Sequence, residues 1–280
     1  MFAQGYHKIQ HWKSSLFFSC MLVISTVFSS CEKVIDIDLN TASKKYVIEG
    51  TIADRPNSCK VILTQTRDFD QDNNFEGVSG AVVTIAAVGE NPVLLAETTP
   101  GVYEATELVG IPGRTYQLKV QVDGSQFSAT STMPQIVPFD SLFITERSFF
   151  DTKSKYATVS YKDPAGIKNA YRFIQYVNGK KEKTIFVRDD DANDGLIIER
   201  TLVYFSNDDN DADKLKSGDN LLIEMLGISQ PVYKFWYSLA QSSTGENQSA
   251  TPGNPVTNIQ GGALGYFSAH TLQSRSIVVP

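Results

Sequence analysis

Histidine and cysteine are scarce: His7, His11 and His270, with Cys20, Cys31 and Cys59, are all that 280 residues contain. Three cysteines cannot build a disulfide framework, and so few ligands exclude the Cys and His sets that hold structural zinc. Basic charge is also short, with 25 Lys and Arg against 31 Asp and Glu, a net charge of -6. That balance excludes a nucleic-acid phosphate track, which needs clustered cations. No Gly-x-Ser-x-Gly elbow presents a nucleophilic serine, no phosphate loop is present, and Gly261-Gly262-Ala263-Leu264-Gly265 does not match a dinucleotide fingerprint. A long hydrophobic span is missing too: the apolar run Leu16–Phe28 falls short of the ~20 residues a bilayer-crossing helix needs. No catalytic motif, metal or cofactor is read from these residues, and a non-enzymatic role is expected.

The short run has its own meaning. It follows Lys8 and Lys13 with no preceding acid and stops at Ser29-Ser30-Cys31, the layout of a secretory signal peptide over residues 1–30. Small residues followed by cysteine look like a bacterial lipobox, in which Cys31 is lipidated and becomes the new N-terminus; the other reading is an ordinary secretory peptide cut nearby. Removal of residues 1–30 leaves 23 basic against 31 acidic residues, a net charge of -8, with His270 as the last histidine. Residues 31–45 are then a polar tether.

Beyond the tether the chain reads as strands. Tyr46–Ile52, Ser58–Gln65, Ala81–Val88, Val93–Thr98, Val102–Thr106, Thr115–Val122 and Gln126–Thr132 are rich in β-branched and aromatic residues and punctuated by turn chemistry. Tyr116, Leu118, Val120 and Val122 alternate with Gln117, Lys119 and Gln121, and Asp123-Gly124 signals a tight hairpin. Residues 46–133 are therefore expected to form an immunoglobulin-like β-sandwich. After a boundary at the proline-containing Met133–Pro138, residues 134–280 are expected to form a second, β-rich domain. Its strands are expected at 141–145, 156–161, 170–177, 183–188, 196–205 and 220–227, with closing strands at 261–267 and 276–279. One helix is predicted over about 230–243, with Pro231 in its first turn. The fold class is thus mainly β, with one α-helix.

Two residue groups qualify as sites. Tyr233, Trp236 and Tyr237 on the helix, with Tyr266 and Phe267 after the double glycine, can line a groove for a sugar, a peptide or a partner protein, or simply pack the helix onto the sheet. Three acidic loops raise the question of calcium. Asp189, Asp191 and Asn193 begin like an EF-hand, but Asp194 and Arg200 stand where a glycine and a bidentate Glu are needed. The stretches Asn207–Asp213 and Asp70–Asn74 have similar spacing, and all three also read as solvated loops. Cys59, within a strand, reads as an inert small apolar side chain.

The chain resembles lipoproteins of Bacteroidota bacteria grouped under domain of unknown function 4249. The likeness lies in Cys31-Glu32-Lys33-Val34-Ile35-Asp36, Tyr46–Ile52, Asp163-Pro164-Ala165-Gly166 followed by Tyr171-Arg172, and above all Asn258–Phe267. The resemblance implies an outer-membrane lipoprotein associated with a TonB-dependent barrel receptor for nutrients, on a periplasmic or cell-surface face left open, and it carries over no catalytic residue. Asp140-Ser141-Leu142 also looks like a bacterial O-glycosylation acceptor, at Ser141. The expected role is a lipid-anchored accessory of uptake, binding a receptor barrel or its ligand. The alternatives are a surface glycoside hydrolase with paired carboxylates and an adhesin-like structural module.

Overall fold

The alternation that predicts a strand over Thr115–Val122 (β7) produces one: Tyr116, Leu118, Val120 and Val122 are all buried on one face. Asp123 and Gly124 both take positive φ, 48° and 76°, and turn the chain straight back into β8 (Ser125–Thr132). In the computed structural model, which describes residues 43–67, 75–149, 152–204, 214–243 and 253–280, the protein is mainly β with a single described helix. Residues 1–42 lie outside the described residues, as do the acidic stretches Asp70–Asn74 and Asn207–Asp213.

Residues Ser43–Pro280 form one compact unit of two sandwiches, in which the two halves of a nine-stranded sheet each face a smaller sheet. In the first, β1 (Tyr46–Ala53), β2 (Lys60–Gln65), β5 (Ala96–Thr99) and β6 (Val102–Glu104) face a five-stranded layer. That layer contains β3 (Val82–Ala87), β4 (Val93–Leu94), β7, β8 and β16 (Ile259–Gln260). Ile48, Ile52, Val61 and Leu63 meet Val83, Ile85, Leu118 and Val120 between the layers. In the second, β9 (Ser141–Phe149), β10 (Thr152–Lys162) and β14 (Ile197–Thr201) cover one face of β11 (Ala170–Val177) and β15 (Asn220–Gly227). Val159, Tyr161, Tyr171, Phe173 and Ile223 fill the space between them. Two short strands, β12 (Lys180–Lys181) and β13 (Phe186–Asp189), border β11.

The two closing strands expected near the C-terminus are one. β17 (Leu264–Val278) runs unbroken through both halves: residues 264–270 pair parallel with β1, and 271–278 pair antiparallel with β15. Met133 belongs to one hydrophobic cluster and Val137 to the next, and Ile259, Ala263, Phe267 and Ala269 from the far end of the chain complete the first. Polar residues 273–276 hide the continuity, because a strand edge in solvent keeps its pairing while showing no apolar pattern.

Where β17 lacks a neighbouring strand, side chains stand in for one. The Phe267 N–H donates to Asn258 Oδ1 at 2.9 Å, and Asn258 Nδ2 donates to the Phe267 carbonyl at 2.8 Å, reproducing a ladder pair with one amide. The Ala269 N–H donates to Ser131 Oγ (2.9 Å), the Leu272 N–H donates to Asp54 Oδ1 (2.9 Å), and Arg55 donates to the Leu272 carbonyl. Gln273 repeats the amide device in the second half, donating to the Val137 carbonyl and accepting from the Phe139 N–H. Buried backbone groups must be paired, so these residues are structural requirements of the shared strand.

The helix α1 (Gln230–Ser243) lies on the opposite face of β11 and β17 from the second core. The Ser229 carbonyl accepts the Tyr233 N–H (2.9 Å) at its start, and Val232 and Phe235 are buried while Tyr237 faces out. Gly265, at the head of β17, has φ +97° and a Cβ there would stand 2.0 Å from the Ile48 carbonyl oxygen. We expect Gly265→Ala to destabilise the fold by roughly 3 kcal/mol or more. Asn258→Ala, which orphans two backbone groups, is expected to cost about 2–4 kcal/mol. Urea denaturation of the variants measures both; wild-type midpoints in either case would contradict the role given to this joint.

Candidate functional site

Strand alternation on β11 sends Tyr171 and Phe173 into the second core and leaves Ala170, Arg172, Ile174 and Tyr176 on the face that α1 partly covers. Arg172 thus enters a hydrophobic setting, flanked in register by Leu226 and Val187. Its Cζ lies 3.3 Å from the Trp236 ring centroid. Around it, Phe235 and Tyr266 stack at 4.7 Å, and Trp236 meets Tyr266 at 5.0 Å and Phe235 at 5.3 Å. Arg172 is 9% exposed, and its Nε is buried without a hydrogen-bond partner. Among the described residues its guanidinium forms no ion pair within 4 Å.

Burial depresses the Arg172 pKa, opposed by the neighbouring Tyr266, Tyr176, Glu49 and Glu224. The cation survives partly because a desolvated guanidinium on an indole gains on the order of 2 kcal/mol. Glu224 is occupied by the Tyr176 hydroxyl, which donates to it at 3.2 Å. Lys181, opposite Tyr176 across the β11–β12 pair, has its pKa lowered by burial and by Arg172. Burial also pushes the Tyr266 hydroxyl up to about 12.

The aromatic residues singled out in the sequence separate into distinct settings. Trp236 and Tyr266 belong to the Arg172 cluster. Tyr233 and Tyr237 stack on each other at 5.6 Å, Tyr237 is 45% exposed, and burial, with the Asp189 carboxylate adding to it, pushes the Tyr233 hydroxyl up. Phe267 corrects the expectation of a common groove: it is fully buried in the first core, because successive side chains on a strand point to opposite faces. Ser141 is an exposed residue at the start of β9.

The acidic loop is also rearranged relative to its EF-hand reading. Asp191 pairs with Lys168 at 3.0 Å on the surface, which engages one of the alternating residues Asp189, Asp191 and Asn193. The carboxylates that converge are Asp163, Asp190 and Asp194, with oxygens within 4.8 Å of one another. An all-oxygen set suits a hard cation. Here the oxygens are engaged by the chain itself. Tyr171 OH and the Gly195 N–H donate to Asp163, the Asn169 N–H to Asp190, and the Gly166 N–H to Asp194. Asp163 and Asp190 are buried, which leaves them no surface to present to a sugar.

A family model described as "Domain of unknown function (DUF4249)" matches residues 32–276. The chain belongs to this family. No curated protein matches it. In this DUF4249 protein the Asn258–Phe267 stretch is the structural joint around β17 described above. Arg172 is absent from the sites read in the sequence, although a lone cation in Ala170-Tyr171-Arg172-Phe173-Ile174 is a visible signal; its stacking partner is 64 residues downstream in sequence. Glu49, Lys181 and Glu224 are brought to it only by strand register.

The DUF4249 protein also buries His270, whose Nδ1 lies 3.2 Å from Ser268 Oγ. Burial, with Arg172 and Arg55 adding to it, lowers its pKa from 6.5 to about 4. Between these values the unfolded chain holds the extra proton, so stability is full above about pH 6.5 and is lost as pH falls toward 4. From pH ~7.5 to ~5 the loss should be roughly 2 kcal/mol. Urea midpoints at the two pH values measure it, and His270→Gln should remove that part of the slope; an unchanged slope would contradict burial of the neutral imidazole. The Cys59 thiol, pushed up to about 12 by burial, is inert in the folded protein.

Proposed function

We propose that this protein is a lipid-anchored binding component of the cell envelope that works beside an outer-membrane barrel receptor of the TonB-dependent type. The observation that carries the reading is Cys31, placed directly after the basic start, the apolar run Leu16–Phe28 and the small pair Ser29-Ser30. Several acyl chains on one cysteine hold a protein to a bilayer durably where one chain does not. Residues 31–45 read in the sequence as a polar tether. Membership of DUF4249, a family whose members the resemblance links to nutrient uptake, supports the same assignment. The aromatic and charged face around Arg172, Trp236 and Tyr237 is suited to contact a ligand or the barrel, and Ser141 is an accessible position for a glycan.

Replacing Cys31 by Ala should move the protein from the membrane pellet to the soluble fraction, and retention in the pellet would contradict anchoring. Mild-detergent extraction of the tagged wild type should bring down an outer-membrane barrel. Recovery of the protein without one would contradict the association.

A further inference from the structure

Arg172 is the one charged residue among the described residues with a buried side-chain atom that has no hydrogen-bond partner. Five N–H donors on a residue about nine-tenths buried find no acceptor among the described residues, and burying an unpaired charge costs several kcal/mol. Stacking on Trp236 fixes the plane of the guanidinium without using any of those donors. Only Nε is both sealed from solvent and unbonded; the two Nη groups form no hydrogen bond among the described residues and hold what exposure the head retains.

Next to this head the sheet face continues beyond the helix as a shelf. Ile174, Tyr176, Leu222 and Glu224 lie on it, all half-buried, with Lys181 at its edge. The shelf offers one acceptor, Glu224, which already receives the Tyr176 hydroxyl, and a second cation, Lys181, beside Arg172. Glu49, on the far side of Tyr266, is exposed and stays outside ion-pair distance. A guanidinium with its two Nη groups free is geometrically matched to a carboxylate, which takes two parallel hydrogen bonds from such a fork.

We infer that Arg172, held against Trp236, is a recognition site for the carboxylate of a small polar ligand whose body lies on the Tyr176–Glu224 shelf. The ligand's hydroxyl or amino groups donate to Glu224, and Lys181 adds a second positive charge at the edge. This inference rests on the reading of the protein as a binding component and assigns that component a ligand class.

In the full chain carrying Trp12→Phe, Trp236 is the only tryptophan, so its fluorescence reports directly on the guanidinium stacked on it. Titration with D-glucuronate, glycylglycine and D-glucose separates an acidic sugar from a peptide carboxylate and both from a neutral sugar. The expected result is a saturable change with glucuronate, with glycylglycine or with both, and none with glucose. Arg172→Lys keeps the charge and loses the fork, and should weaken the response about tenfold or more. Lys181→Met, at the edge of the shelf, should weaken it by about threefold and covers the case in which the Arg172 variant does not fold. No saturable response to either carboxylate, an equal response to glucose, or undiminished affinity in the variants would overturn the site. Membrane release of Cys31→Ala reads the anchoring separately, so either claim can fail without the other.

Discussion

A strand shared between two sandwiches makes every pairing in one half conditional on the other. β17 lends residues 264–270 to the first sheet and 271–278 to the second, so its backbone must be satisfied along edges where no strand can follow both neighbours. Asn258, Ser131, Asp54, Arg55 and Gln273 meet that requirement with side-chain groups. Their positions fix the loops that bear them: the segment leading to β16, the end of β8, the turn after β1 and the connection through Val137 and Phe139. Much of the irregular structure is therefore arranged around one extended segment, and the apolar cores on either side are filled from it.

The same strand sets the chemistry of the helix-covered face. Tyr266 points toward α1 and Phe267 away from it, so one aromatic pair in the sequence serves two cores. On the α1 side an arginine occupies a place that an apolar residue would fill at lower electrostatic cost. Trp236 compensates some of that cost, and Glu49 and Glu224 raise the pKa from a distance without pairing. A cation is retained under those conditions beside the half-buried shelf of Ile174, Tyr176, Leu222 and Glu224. The carboxylates of Asp163, Asp190 and Asp194 differ in kind, since backbone N–H groups and Tyr171 already engage them and tie two loops together.

Local signals are legible where the chain itself decides the geometry. Asp123-Gly124 specifies its hairpin, Asn178-Gly179 turns β11 into β12 with both residues at positive φ, and the helix over Gln230–Ser243 follows from Pro231 in its first turn. Long-range decisions are not legible. Nothing near Asn258 shows that its amide will replace a strand, because the partner backbone is defined only once β17 has paired with β1. The polar run Gln273–Ser276 reads as a break because one side of that strand faces solvent. The aromatic groove fails at Phe267, where strand alternation reverses the side chain. Arg172 shows in the sequence only as a lone cation among apolar residues, and its role does not, because its environment is assembled from β11, β15, β17 and α1.

The central claim is that strand sharing makes residues 43–280 a single cooperative unit. Hydrogen exchange across a urea series measures this directly, by comparing the amides of β1 and β7 in the first sandwich with those of β11 and β15 in the second. Coincident loss of protection, at one midpoint and with one free energy, is the result the shared strand predicts. Two separated transitions, with β17 losing protection in halves, would contradict it.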